Sequence, residues 1–343
     1  MIDVLALHRD LVATPSVSGN EEAIASFVTE KLHSSGHVTE RIGNSLIASF
    51  GKGPRLILNS HLDTVPAQEG WAHDPWTPRA VAGRIYGLGS NDAKASVAAL
   101  ISAFLDSAEK QLPIELVLIL AEGEETLGIG TQNCLDHLIQ TGRVPDAAVI
   151  GEPTNLACGT ALFGLAILNL ISHGQACHAA HAQALGATNP IWQLASDIHK
   201  VEALDLGETT IQPTMLVGAS AKNQIPESAM VTLDVRLEPN RTVDDVVSIL
   251  RNIVQSEIVV HSDRLKAYAC PEGSLILNCV QGEHFVSRTM SDQVFFQGIP
   301  AVKIGPGRTE RSHTTDEFVL EQEILDGVAT FNQIISRFAE MAK

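Results

Sequence analysis

The chain has no Cys-x-x-Cys pair, no excess of basic residues, no apolar run long enough to span a membrane, and no low-complexity linker or internal repeat. Its five cysteines (Cys134, Cys158, Cys177, Cys270 and Cys279) are odd in number and scattered. That pattern argues against a disulfide framework or a cysteine zinc site and for buried thiols in a reducing compartment. Lys and Arg total 23 against 40 Asp and Glu, a formal charge of −17. Sequence-independent nucleic-acid binding and anionic membrane surfaces both need clustered cations and are disfavoured. The longest apolar stretch, Leu162 to Ile171, is about half a membrane span and is interrupted by Asn169. The amino terminus carries charge too early for a secretory segment. A soluble cytoplasmic protein with no nucleic-acid or membrane partner is the expectation.

With 343 residues, 45% of them hydrophobic and 18% charged, the chain can bury a sizeable core. Its length suggests two domains, or one domain with an insertion. Helical periodicity covers residues 2–13, and Ser18 or Asn20 is a candidate cap for a helix reaching about Leu32. The apolar run Leu56-Ile57-Leu58 then ends in His61 and Asp63, two positions apart. On a strand these two side chains share a face. By itself such a pair fits a satisfied polar turn.

The pattern recurs. Asp92 stands where the helix AKASVAALISAFLDSAEK starts, and by itself fits an ordinary N-cap. Residues 114–121 form a near-continuous apolar strand that ends in Glu122, Glu124 and Glu125. A strand over residues 146–153 ends in Glu152, and an apolar strand over 299–307 leads to His313 before a final helix over 319–340. The segment 284–297 reads as helical. Helices alternating with strands imply an α/β fold, a mostly parallel sheet with helices on both faces, whose carboxyl ends line one crevice. Between about 161 and 268 the order changes to β-α-β-β-α-β, the ferredoxin-like pattern. The expected organisation is therefore a catalytic domain of 1–160 and 269–343 with an inserted second domain of 161–268.

So many carboxylates in one crevice would repel unless a cation sat among them. His61, Asp92, Glu125, Glu152 and His313 are the candidate ligands. Nitrogen and carboxylate donors without thiolate suit catalytic Zn²⁺, Co²⁺ or Mn²⁺. Five side chains with one bridging carboxylate make two three-ligand sites, of the kind that sit roughly 3.5–4 Å apart and ionise water for hydrolysis. Glu124 and Glu125 are adjacent and diverge, so one can bind metal while the other serves as general base.

The motifs SHLDTVP (60–66), YGLGSNDAKAS (86–96), AEGEETLGIG (121–130), GEPT (151–154), GQACHA (174–179), NQIPESAMVTLDVR (223–236) and GPGRTERSHTTDEF (305–318) occur in order over nearly the whole chain. Together they resemble the di-zinc aminoacylase/carboxypeptidase family, which includes acetylornithine deacetylase and succinyl-diaminopimelate desuccinylase. The resemblance implies that His61, Asp92 and Glu152 hold one metal and that Glu125 and His313 hold the other, with Asp92 bridging. It implies that Asp63 orients His61, and that Glu124 takes a proton from the bridging water and delivers it to the leaving amine. His178, on an inserted lid that also dimerises, would reach across a homodimer to stabilise the oxyanion. Asn223 and Arg236 would bind substrate.

Two departures bear on the reading. The family's Asp-Met-Lys-Gly is Asp92-Ala93-Lys94-Ala95 here, which keeps the ligand. A basic residue expected before the lid glycine is replaced by Phe163, with Leu162 ahead of it, which removes a guanidinium suited to a second acyl carboxylate. The expected substrate is therefore N-acetylornithine or N-acetylcitrulline, deacetylated in arginine biosynthesis. Arg308 or Arg311 would meet its α-carboxylate and Glu310 its side chain. Succinyl-diaminopimelate desuccinylase, dipeptidase and aminopeptidase activities are the alternatives within the family. From another class, a non-catalytic metal-dependent binding protein is disfavoured by Glu124, which such a protein does not need. Cys177, His178 and His181 could imitate a metal site, and His73, His137, His199 and His284 are expected to be structural or exposed.

Overall fold

The computed structural model describes residues 2–126, 128–219 and 221–342. The chain forms two compact units, one of Met1–Ala161, Cys270–Ser287 and Ser291–Lys343, the other of Leu162–Ala269 and Arg288–Met290. The return of Arg288–Met290 to the second unit has no signal in the sequence.

In the first unit the parallel centre of the sheet runs in the order Glu115–Ala121, Arg55–His61, Ala147–Ile150, Ala301–Lys303. Leu56, Ile57, Leu58, Leu116 to Leu120 and Ala147 to Ile150 are all buried, as expected where helices cover both faces. The expected mixed α/β fold is therefore present. The flanks differ from the centre: Ser45–Gly51 and Thr39–Ile42 on one side, and Cys158–Leu162 on the other, run antiparallel. The helix Lys94–Ala108 packs against the final helix Glu321–Met341, and its buried Ala95, Ala98, Ala99 and Ala103 permit close approach.

Three local expectations are corrected. Neither Ser18 nor Asn20 caps the helix Glu22–Ser34, whose N-cap is Glu21 with no side-chain cap bond. Asp92 is not a cap, because the N-cap of the helix Lys94–Ala108 is Ala93. The segment read as helical over 284–297 is a strand, His284–Ser287, followed by a short 3₁₀ turn, Asp292–Phe295. Pairing of that strand with Cys158–Leu162 supplies the backbone partners that the helix would have supplied.

In the second unit the strand order is Thr210–Val217, Ser228–Leu237, Gly164–His173, Glu257–Leu265, all antiparallel. With the helices Pro190–Glu202 and Val243–Arg251 this is the ferredoxin-like arrangement. Buried and partly exposed residues alternate along both central strands. Leu168, Leu170, Val231, Leu233 and Val235 thereby meet Leu194, Val201, Val246 and Leu250 in one core. Asn189 caps the first helix, with Pro190 at its first position, and a Thr242–Asp245 capping box starts the second.

Candidate metal centre

The register of the parallel strands brings their first polar residues to one edge. His61 lies opposite Ala121, so Glu122 to Glu125 begin where His61 ends, and Glu152 follows the neighbouring strand Ala147–Ile150. Asp92 enters from the loop before the helix Lys94–Ala108, and the Asp92–Ala93 peptide is cis. His313 arrives on a loop in a left-handed conformation, φ 58°. The Nε2 of His61 lies 3.4 Å from Asp92 Oδ1. The Nε2 of His313 lies 2.9 Å from Glu125 Oε1 and 3.7 Å from Asp92 Oδ2. Each carboxylate oxygen of Asp92 thus faces a different histidine.

Donor atoms of His61, Asp92 and Glu152 lie within 4.8 Å of one another, as do those of Asp92, Glu125 and His313. The two triads share Asp92 and contain only imidazole nitrogen and carboxylate oxygen. Each could hold a divalent cation of the Zn²⁺, Co²⁺ or Mn²⁺ type. Glu124 belongs to neither triad. Cys177, His178 and His181 form no such group among the described residues.

Asp63 joins the two sides of this centre from behind. It is fully buried, and its Oδ1 lies 3.4 Å from His61 Nδ1, while that nitrogen is also 3.1 Å from the Asp63 carbonyl oxygen. The backbone N–H groups of Glu124 and Glu125 each donate to the Asp63 carboxylate at 3.1 Å, and the Ser18 hydroxyl donates at 2.6 Å. Ser18, which the sequence suggested as a helix cap, is therefore part of this support.

Two buried acids escaped the sequence reading. Glu317 accepts backbone N–H bonds from Gly89 (2.9 Å), Asn91 (2.7 Å) and Asp92 (2.9 Å), which holds the loop that presents Asp92. Asp292 accepts from the Thr131 hydroxyl at 2.5 Å. The available signal was a carboxylate beside an apolar segment, Glu317 before Phe318-Val319-Leu320 and Asp292 before Val294-Phe295-Phe296.

His178 and Asn223 lie in the second unit, where Cys177–His178 pairs with Gln224–Ile225. The Ala180 N–H donates to His178 Nδ1 at 3.2 Å. The side-chain Nδ2 of Asn223 lies 3.4 Å from the Nε2 of His178. Arg236 is engaged by Asp234 at 2.8 and 3.2 Å. Arg311 is held by Glu323 at 2.7 and 3.1 Å, whereas Arg308 is half exposed and 3.8 Å from the same acid. Of the two candidate carboxylate binders, Arg311 is thus the more committed elsewhere.

Charge crowding is visible in the protonation equilibria. Burial, then Asp92, pushes Glu152 up to about 8, and the same two causes push Glu317 up to about 8. Burial also raises Glu124 well above the ordinary carboxylate range, with Glu152, Asp292 and Glu125 adding to the effect and His61 opposing it. Burial opposes charge on His61, yet Asp63, Asp92 and Glu124 outweigh it and hold the ring well above the usual imidazole value. The bond from Glu125 is the main cause that lifts His313 to about 9. The protein alone retains protons where divalent cations would supply the missing positive charge.

The fold and donor set fit an α/β metallohydrolase. Residues 57–337 match peptidase family M20/M25/M40, and the chain belongs to this family of amide-hydrolysing enzymes. It is 28% identical to a succinyl-diaminopimelate desuccinylase of Rhodospirillum centenum over 98% of this chain and 97% of that one. It is also 28% identical to an acetylornithine deacetylase of Proteus mirabilis, over 99% of this chain and 98% of the relative. Among solved structures, a tripeptidase from Staphylococcus aureus shares the fold with a TM-score of 0.81 at 20% identity, covering 98% of each chain. A dinuclear metal binding peptidase of the M20 family from Bacillus subtilis does so at 0.78 and 16% identity, again over 98% of each. Among the described residues no helix is long and apolar enough to cross a membrane.

The raised pKa values set a sign for stability. Without metal, folding retains protons on Glu152 and Glu317 up to about pH 8 and on Asp292 up to about pH 6, after unfolded carboxylates have released theirs. His8 acts oppositely, because burial lowers it to about 4. More sites gain protons on folding than lose them between about pH 5 and 7, so stability falls as pH rises through that window. Calorimetry of the metal-free protein is expected to show a lower Tm at pH 7 than at pH 5, and added Zn²⁺ should raise Tm more at pH 7. A metal-free Tm that rises across the interval would contradict this.

Proposed function

We propose that this M20-family enzyme removes a small acyl group from an N-acyl amino acid, with N-acetylornithine or N-acetylcitrulline as substrate in arginine biosynthesis. The observation that carries the reading is Glu124, a carboxylate beside both triads and part of neither. In this reading His61, Asp92 and Glu152 hold one Zn²⁺, and Asp92, Glu125 and His313 the other, with Co²⁺ or Mn²⁺ as possible replacements. Two such cations, when bound, polarise an amide carbonyl and make water acidic near neutral pH.

Glu124 accepts the proton of the attacking water on its carboxylate and returns it to the leaving amine nitrogen. The Asp63 bonds to the N–H groups of Glu124 and Glu125 hold the loop in place. Asp63 also orients His61. His178 donates from Nε2 to the developing oxyanion, a contribution on the order of 3 kcal/mol for such donors. Asn223 and Arg236 contact the substrate.

A homodimer through the second unit is part of the proposal. Thr210–Val217 is an edge strand on which Met215, Leu216 and Val217 are 59%, 67% and 47% exposed, and Trp192 on the nearby helix is 77% exposed. Unpaired edges and apolar patches of this kind are pairing surfaces. The five free cysteines support a cytoplasmic location.

A second reading, desuccinylation, is favoured by one observation. The guanidinium of Arg288 lies 4.6 Å from the centre of the Phe163 ring, so a cation stands near the position from which the sequence had removed one. A screen of metal-reconstituted enzyme against acetylated amino acids, succinyl-diaminopimelate and dipeptides separates the readings. Acetylornithine or acetylcitrulline is expected to give the highest kcat/KM, and dominant desuccinylation would overturn that choice. Glu124→Gln is expected to retain normal metal content and lose at least about 1000-fold in kcat, in the upper part of the range for general-base catalysis. Unchanged turnover would remove Glu124 as the base and favour a different mechanism.

A further inference from the structure

Glu124 and Glu125 lie on a closed loop: the Gly128 N–H donates to the Gly123 carbonyl at 2.7 Å, and Gly128 starts the helix Ile129–Gln140. Asp63 grips this loop from the His61 side through two backbone N–H groups. The other side is held differently. Asn59, two residues before His61 on the central strand, donates through Nδ2 to the Thr131 hydroxyl at 2.9 Å, and that hydroxyl donates to Asp292 Oδ2 at 2.5 Å. Asn59, Thr131 and Asp292 are all at most 1% exposed. The Asp292–Phe295 turn also sits against the loop's exit: a Cβ on Gly128 would fall 2.8 Å from the Phe295 ring and 3.6 Å from Asp292 Oδ1.

We infer that Asp292 is a positioning residue for hydrolysis, fixing the loop of Glu124 and Glu125 through Thr131. Its carboxylate makes a charge-assisted bond to the hydroxyl in a site without water contact, where such a bond is strong and directional. Asp292 is a member of neither triad, and only its charge reaches His61 and Glu124. Thr131 stands in the first turn of the helix that continues the loop, so a shift there moves Glu124 relative to His61 and Asp92. Displacement of a reacting group by about 1 Å costs on the order of 100-fold in rate.

This inference rests on Glu124 being the base, and the experiment keeps the two separable. Thr131→Val and Asp292→Ala are measured beside Glu124→Gln. The expected result is a loss of about 100-fold in kcat for each, with KM within about twofold of wild type, as loss of positioning without loss of substrate binding requires, and with any metal lost through Glu125 restored in Thr131→Ser. Thr131→Ser and Asp292→Asn, which keep the hydroxyl and an acceptor oxygen, should recover most of the rate. The double variant Asp292→Ala/Thr131→Val should be no slower than the slower single, because both break one link. Wild-type kcat in Thr131→Val, additive losses, or a loss of metal without rescue by Thr131→Ser would overturn the positioning role. If Asp292→Ala does not fold, the Thr131→Val and Thr131→Ser pair decides alone. An active Glu124→Gln enzyme would instead overturn the base assignment, whatever Thr131 and Asp292 do.

Discussion

Several carboxylates meet at the carboxyl edge of a parallel sheet, in a setting too poor in water to screen them. Asp63, Asp92, Glu152 and Glu317 are largely withdrawn from solvent, and Glu124 and Glu125 are partly so. Uncompensated buried carboxylates cost several kcal/mol each. His61 and His313 supply some positive charge by holding protons, and Glu152 and Glu317 shed negative charge by doing the same. A pair of divalent cations would relieve the crowding at once, with each half of Asp92 facing one of them. The supporting structure around this edge follows from the need to keep these charges close.

The proposed ligands come from different segments, and the loops of Asp92 and of Glu125 are each held by backbone contacts of their own. Glu317 spends its carboxylate on three N–H groups of the loop that carries Asp92. Asp63 spends its own on the loop of Glu124 and Glu125 and on His61. The helix Lys94–Ala108, packed tightly through alanines, anchors the chain immediately after Asp92. Glu124, the proposed base, therefore sits on a loop whose path is set by buried hydrogen bonds, as a base needs if its oxygen is to meet a water in a fixed orientation. Within the second unit, the Nδ1 of His178 accepts the N–H of Ala180.

The parts of this arrangement that could be read from the sequence were those with a repeated pattern. Short aliphatic runs that end in His or an acid signal strands buried on both faces, and three such strands lead into His61, Glu122 to Glu125 and Glu152 at one edge of the sheet. The β-α-β-β-α-β order of the second unit was likewise readable, whereas the alternating burial along Gly164–His173 was not, because its residues are apolar almost throughout. Parts that depend on distant pairing were not readable. The segment 284–297 has helical spacing, but His284–Ser287 pairs with a strand more than a hundred residues earlier. Ser18 looked like a local cap because its real partner, Asp63, is 45 residues away. The signal at Glu317 and Asp292, a single acid beside an apolar segment, is ordinary on a surface as well and did not distinguish burial.

The proposed role of Asp92 is to bridge two cations held by separate pairs of neighbours. Anomalous scattering from crystals of the Zn²⁺-loaded protein, collected at the zinc edge, tests it most directly. The account predicts two peaks per chain flanking the Asp92 carboxylate, one also touching His61 and Glu152, the other Glu125 and His313, with Glu124 in contact with neither. A single peak, a peak bound by Glu124, or zinc held away from Asp92 would contradict it.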